Sequence, residues 1–204
     1  MSDSTNATHD GNALASRSTA LTRSRFASAL SRFERAEHCV ILCDTSGSMA
    51  SPADTPGERR IDALRGVVSA LRTQGLQFRL SCFSSDVLWT DIIPEPSGGT
   101  DMIGALNFVK AAKPSHLVII SDGVPDGGEL GRSASLDTAR TLGCRIDAYY
   151  VGPSNPTAEE FMRSLAQATG GSSGACSFKE LTGRIAGALT AGEPDGAPSG
   201  PIAL

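Results

Sequence analysis

The sequence predicts an α/β fold in three layers: a mostly parallel sheet of about six strands, one edge strand antiparallel, with helices on both faces. Three observations lead there. Short apolar runs of the kind that form buried strands alternate with longer segments whose apolar residues recur at helical spacing. One pair of strand-like runs is joined only by Ser84, Ser85 and Asp86, a link too short for a parallel crossover. At 204 residues, 40% hydrophobic and 20% charged, the chain can bury one substantial core but hardly two.

The elements follow in order. Residues 39–43, Cys-Val-Ile-Leu-Cys, read as a buried strand that ends in a loop. Over 58–72, Ile61, Leu64, Val67, Val68 and Leu71 form a helical stripe. Residues 78–83 and 87–93 make the antiparallel hairpin. A helix is then expected over 102–112, a buried strand over 117–121, a helix over 133–142 and a strand over 146–151. Helix 157–168, strand 174–178 and helix 179–189 complete the alternation. Ahead of it, Phe26, Leu30 and Phe33 recur at helical spacing and predict an amphipathic helix within 21–37 that docks on the domain. Residues 1–20 are polar and patternless, and the tail 191–204 is too rich in Pro and Gly to pack, so disorder is expected in both. The folded domain is thus expected over 38–190.

Composition narrows the partners. A net charge of -4 supplies no broad basic field, and 5% aromatics offer few stacking platforms, which argues against nucleic acid or an anionic membrane surface. Five cysteines, Cys39, Cys43, Cys82, Cys144 and Cys176, are odd in number and scattered through apolar segments, as buried free thiols would be. The first residues carry acid instead of a basic n-region, and no run approaches membrane-spanning length. The Arg- and Ser-rich stretch 15–35 has the composition of an organellar transit peptide, but Asp3 and Asp10 upstream count against one. A reducing cytoplasmic location is the expectation.

In open α/β sheets, ligands gather beyond the carboxyl ends of the strands. After the strand 39–43 comes Asp44-Thr45-Ser46-Gly47-Ser48, and after 117–121 comes Asp122. In a tight loop Asp44, Ser46 and Ser48 can turn three oxygens toward one point, with Gly47 giving the backbone latitude for the turn. The loop Ser97-Gly98-Gly99-Thr100 adds a further hydroxyl just ahead of a helix. Two carboxylates and three hydroxyls, with no imidazole or thiolate, suit a hard cation such as Mg²⁺ and argue against Zn²⁺.

The Asp-x-Ser-x-Ser motif at Asp44, Ser46 and Ser48, followed by Thr100 and then Asp122, resembles the metal-ion-dependent adhesion site of von Willebrand factor A and integrin I domains. The motif alone is weak, because common residue types fill it; its place directly after a buried strand, with the other two residues in order, carries the resemblance. It spans residues 38–189. It implies a Rossmann-like sheet, metal contacts from Ser46, Ser48 and Thr100, and Asp44 and Asp122 bound directly or through water. Mg²⁺ is the implied ion, with Mn²⁺ or Ca²⁺ as alternatives. It also implies an open coordination position that accepts an Asp or Glu of a partner protein, since neutral hydroxyls leave the cation under-compensated. A protein-binding module, not an enzyme, follows. Among intracellular bacterial members of the family, a MoxR-type AAA+ ATPase or another member of the same complex is the suggested partner.

Competing readings are weaker. A Mg²⁺-dependent phosphoryl-transfer enzyme with Asp44 as nucleophile would begin identically, but haloacid dehalogenase-like phosphatases need a second acid two residues on, where this chain has Ser46. A serine hydrolase would need a Gly-x-Ser-x-Gly elbow that the sequence lacks. His38 and His116 precede strands and belong at the pole opposite Asp44, and His9 lies in the polar start; surface or structural roles fit all three better than metal ligation. Cys39 and Cys43 lack partners at zinc-site spacing. Trp89 on the hairpin is expected to be half buried, and Arg59 and Arg60 to begin a helix in solvent.

Overall fold

The computed structural model describes residues 39–53 and 55–190. The segment 1–20, the helix expected in 21–37, His9, His38 and the tail 191–204 lie outside the described residues. Within them are six strands: β1 (Cys39–Asp44), β2 (Arg79–Phe83), β3 (Val87–Trp89), β4 (His116–Ser121), β5 (Arg145–Tyr150) and β6 (Ser173–Ala175). Five α-helices alternate with them: α1 (Arg60–Thr73), α2 (Met102–Lys110), α3 (Gly128–Arg140), α4 (Pro156–Gln167) and α5 (Phe178–Thr190).

The strands form one sheet in the order β3-β2-β1-β4-β5-β6. Every neighbouring pair is parallel except β2 and β3, the antiparallel hairpin at one edge. The central strands are apolar on both faces because helices cover both, and their side chains divide by the two-residue period of a strand. Val40, Leu42, Leu117, Ile119, Ile146 and Ala148 pack beneath α2, α3 and α4. Ile41, Cys43, Val118, Ile120 and Tyr149 pack beneath α1 and α5. This is the expected three-layer arrangement.

Three elements depart from the expected bounds: β6 ends at Ala175 where a strand to 178 is expected, with Phe178 already in α5, and the other two depart for identifiable reasons. β3 stops at Trp89 where a strand to 93 is expected, because Ile93 turns under α1 into the core and Pro94 has no N–H for a ladder. The Arg65 guanidinium takes up the carbonyls freed there, at 3.1 Å from Ile93 O and 2.9 Å from Pro94 O. α3 starts at Gly128, well before the expected residue 133. Its glycines read as breakers in sequence, yet Gly131 is the residue that lets the first turn lie against the Asp126 carbonyl, where a Cβ would collide.

The hairpin side chains confirm the half-buried Trp89, which packs on Phe108 with ring centroids 5.4 Å apart and takes the Arg79 guanidinium over its face at 3.9 Å. Cys43, Cys82 and Cys144 are buried thiols, and Cys39 and Cys176 are partly buried. No described helix is long and apolar enough to cross a membrane.

Candidate metal-binding site

β1 and β4 lie side by side at the centre of the sheet, with Cys43 opposite Ile120. The chain leaves β1 toward β2 on one side, whereas β4 leads to β5 on the other. Their carboxyl ends therefore open at the point where strand order reverses, and Asp44 and Asp122 stand there.

The β1 loop is built around Asp44. Its Oδ1 accepts the Ser46 N–H at 2.8 Å, and its Oδ2 accepts the Ser121 hydroxyl at 2.5 Å. The next residues close into a 3-10 turn, Gly47–Ala50, that buries Met49 and leaves Ser48 at the surface. Ser46 Oγ and Ser48 Oγ lie 3.0 Å apart, and Ser48 Oγ donates to Asp122 Oδ1 at 2.7 Å. Ser46 Oγ, Ser48 Oγ and Asp122 Oδ1 thus form one hydrogen-bonded run of oxygens, and Asp44 is tied to it through the Ser46 backbone N–H. Gly47 is not among the residues of positive φ, so the latitude expected of it is not what shapes this turn.

Thr100 is brought to the same end by its backbone. Gly47 N–H donates to Gly98 O at 3.1 Å and Ser97 N–H to Thr45 O at 2.9 Å, which lays the loop before α2 along the β1 loop. Asp126 then clamps Thr100 twice: its carboxylate accepts the Thr100 N–H at 2.9 Å, and its own N–H donates to Thr100 O at 3.1 Å. A Cβ at Gly99 would run into the Asp126 carboxylate and displace it from this clamp.

Burial dominates the electrostatics. Asp44 is fully enclosed, and desolvation pushes its pKa from 3.8 up to about 6 against the pull of the Ser121 and Ser46 hydrogen bonds, with the Asp122 charge adding to the rise. Asp122 has a cationic neighbour: Arg60 Nη1 lies 2.5 Å from its Oδ2. The expectation for Arg60 is corrected here. Its side chain is only 11% exposed and turns inward to Asp122, while Arg59 alone stays at the surface, paired with Asp62 and Glu95. Helical spacing explains the inward turn, because Arg60 is four residues before Leu64 and seven before Val67, on the buried stripe of α1.

Three residues of the site escape the sequence argument: Arg60, Ser121 and Asp126. Position on the α1 stripe is a usable signal for the first. Adjacency of the β1 and β4 ends is one for the second. Asp126 shows itself only once the loops are placed.

The donor set fits a hard divalent ion. It is all oxygen, carboxylate and hydroxyl, with Ser48 open to solvent and Asp44 and Asp122 supplying the negative charge. Among the described residues no three His, Cys, Asp or Glu side chains gather as a metal-holding group. His116 stands at the far end of β4, 2.8 Å from Asp147, in a structural role.

No protein-family model and no curated protein matches the sequence. Solved structures share the fold. Among them are the manganese-loaded TRAP protein of Plasmodium vivax (17% identity, TM-score 0.54, covering 72% of this chain and 70% of that one) and a von Willebrand factor type A structure from Catenulispora acidiphila (17% identity, TM-score 0.55, covering 72% and 40%). The von Willebrand factor domain of the type V pili tip protein Mfa5 from Porphyromonas gingivalis is similar at 11% identity and a TM-score of 0.53, covering 78% and 96%. At these identities the likeness is one of fold.

Proposed function

We propose that this chain, which has the fold of a von Willebrand factor A domain, is a divalent-cation-dependent protein-binding module and not an enzyme. Asp44, Ser46, Ser48, Thr100 and Asp122 hold Mg²⁺, with Mn²⁺ or Ca²⁺ as alternatives. An Asp or Glu of the partner protein completes the shell. The observation that carries this is the run from Ser46 through Ser48 to Asp122 at the carboxyl ends of β1 and β4, with Asp44 tied to it through the Ser46 N–H. When bound, the ion supplies a concentrated positive charge for an anionic oxygen. The chain's own part is to orient: Ser121 and the Ser46 N–H fix the Asp44 carboxylate, and Asp126 fixes the Thr100 backbone.

Binding is favoured over phosphoryl transfer by the residue two positions after Asp44. A haloacid dehalogenase-like nucleophile needs a second acid two residues on as general acid, and the residue there is Ser46, whose hydroxyl lies against Ser48. The buried thiols support a reducing cytoplasm as the place of action, and the resemblance suggests a MoxR-type AAA+ ATPase or another member of a bacterial complex as partner.

Affinity capture from the native source, run in Mg²⁺ and again in EDTA, tests the proposal. A partner retained by wild type in Mg²⁺ and lost in EDTA and in Ser46→Ala is the expected result. Equal retention in all three would leave a scaffold whose contacts lie elsewhere, and metal-dependent hydrolysis of p-nitrophenyl phosphate would restore the enzyme.

A further inference from the structure

A guanidinium taken out of water must be paired, and where its partner stands tells what the pairing does. Arg60 could anchor the start of α1 on any neighbouring carbonyl. It instead reaches Asp122, whose side chain is wholly buried, at 2.5 Å, with Ser48 O a further 3.5 Å from the same nitrogen. Its Nε is the buried side-chain nitrogen without a hydrogen-bond partner among the described residues, so the Asp122 contact is the principal compensation for burying the charge. The Ser48 hydroxyl occupies Asp122 Oδ1 and Arg60 occupies Oδ2. Both carboxylate oxygens are engaged by the chain itself, one of them by a full positive charge.

We infer that Arg60 is a tethered counter-cation of the site: it neutralises Asp122 in the metal-free protein and competes with the divalent ion for that carboxylate, setting metal affinity below what the ligand set alone would give. The inference rests on the metal-site reading and adds to it the control of loading. Two carboxylates against one guanidinium leave a single net negative charge to attract a dication, and the approaching ion meets a like charge held on one of its own ligands. Loading is therefore an exchange of one cation's hold on Asp122 for another's. The loaded site carries net positive charge, which favours an acidic partner group over a neutral one.

Mg²⁺ titrated by calorimetry into the full chain and into its Arg60→Gln and Arg60→Lys variants tests this. Arg60→Gln should bind Mg²⁺ about tenfold more tightly than wild type, because the competing charge is gone, and Arg60→Lys should stay near wild type because the charge remains. Affinity in Arg60→Gln equal to or weaker than wild type, in a protein with an unchanged circular dichroism spectrum, makes Arg60 a structural clamp and overturns the inference while leaving the metal site standing. No heat and no thermal shift in any of the three at millimolar Mg²⁺ overturns the metal site itself, and this inference with it. If Arg60→Gln does not fold, the wild-type protein decides: the Arg60 Nε–H resonance, assigned by its loss in Arg60→Lys, should move as Mg²⁺ saturates the site. A resonance that stays fixed through saturation overturns the competition.

Discussion

Thr100 carries its hydroxyl on a backbone held from both sides by Asp126, a surface residue with no place in the ligand set. Such supporting contacts position a ligand without touching the metal, and their loss typically costs metal affinity about tenfold or more. Asp126→Ala should therefore weaken Mg²⁺ binding by about tenfold while lowering folding stability by only about 1 kcal/mol, the worth of one hydrogen bond. Asp126→Asn, which keeps a carbonyl oxygen to accept the Thr100 N–H, should recover most of the affinity. Calorimetry paired with thermal melts separates the two effects, and an Asp126→Ala protein that binds Mg²⁺ like wild type would remove Asp126 from the site. Individual residues were legible to different depths. Asp44, Ser46 and Ser48 announce themselves because strand, loop and motif are contiguous. Arg60 was misplaced because a pair of arginines ahead of an apolar stripe looks solvated, and only its partner, 62 residues away, makes its burial tolerable.

At the scale of elements, β4 and β5 are pinned at the pole opposite the site by a buried ion pair. Asp147 is fully enclosed, which raises its pKa, but His116 at 2.8 Å, the Ser172 N–H at 2.6 Å and Arg145 at 3.0 Å more than offset this and hold it below the usual range. Burial lowers the pKa of His116, but hydrogen bonds to Asp147 and Cys39 outweigh it and lift it to about 9. A histidine raised in the folded state contributes stability that is complete below its unfolded pKa near 6.5 and is lost as pH rises through about 9. The lowered Asp147 acts at the other end: its contribution is present above the unfolded value of 3.8 and is lost as pH falls through its folded pKa. Urea denaturation should show stability falling by about 2 to 3 kcal/mol between pH 6 and pH 9.5, and His116→Gln should flatten that slope. A slope of equal size in the variant would assign it to other groups. Two of the element boundaries that sequence misjudged, the end of β3 and the start of α3, are places where a loop decides: Ile93 is drawn under α1, and Gly131 lies on the Asp126 carbonyl.

For the molecule as a whole, the alternation of period-two and helical segments was sufficient to predict layers, strand number and the antiparallel edge, because covering both faces of a parallel sheet leaves its central strands apolar throughout. The strand-end rule points to the candidate site without any knowledge of loop geometry, since β1 and β4 have only to be neighbours, as they are. What could not be read was how the chain supports those residues, through Ser121, Asp126 and Arg60, because those contacts join segments far apart in sequence. This wiring bears on the last prediction. A ligand that binds only the folded state stabilises it by mass action, by about 2.7 kcal/mol at a hundredfold excess over its dissociation constant. Millimolar Mg²⁺ or Mn²⁺ should raise the melting temperature by several degrees, and EDTA should return it to the starting value. Asp44→Ala should abolish the shift, because the carboxylate that holds the Ser46 backbone N–H and supplies charge to the proposed site is gone. Its metal-free melt should fall only modestly, since removing an enclosed carboxylate pushed up to about 6 also removes the cost of ionising it there, leaving the Ser121 and Ser46 contacts as the loss. A wild-type melting curve indifferent to either metal up to millimolar concentration, or an Asp44→Ala protein that keeps the full shift, would detach these oxygens from metal binding and leave their hydrogen-bonded run as part of the scaffold alone.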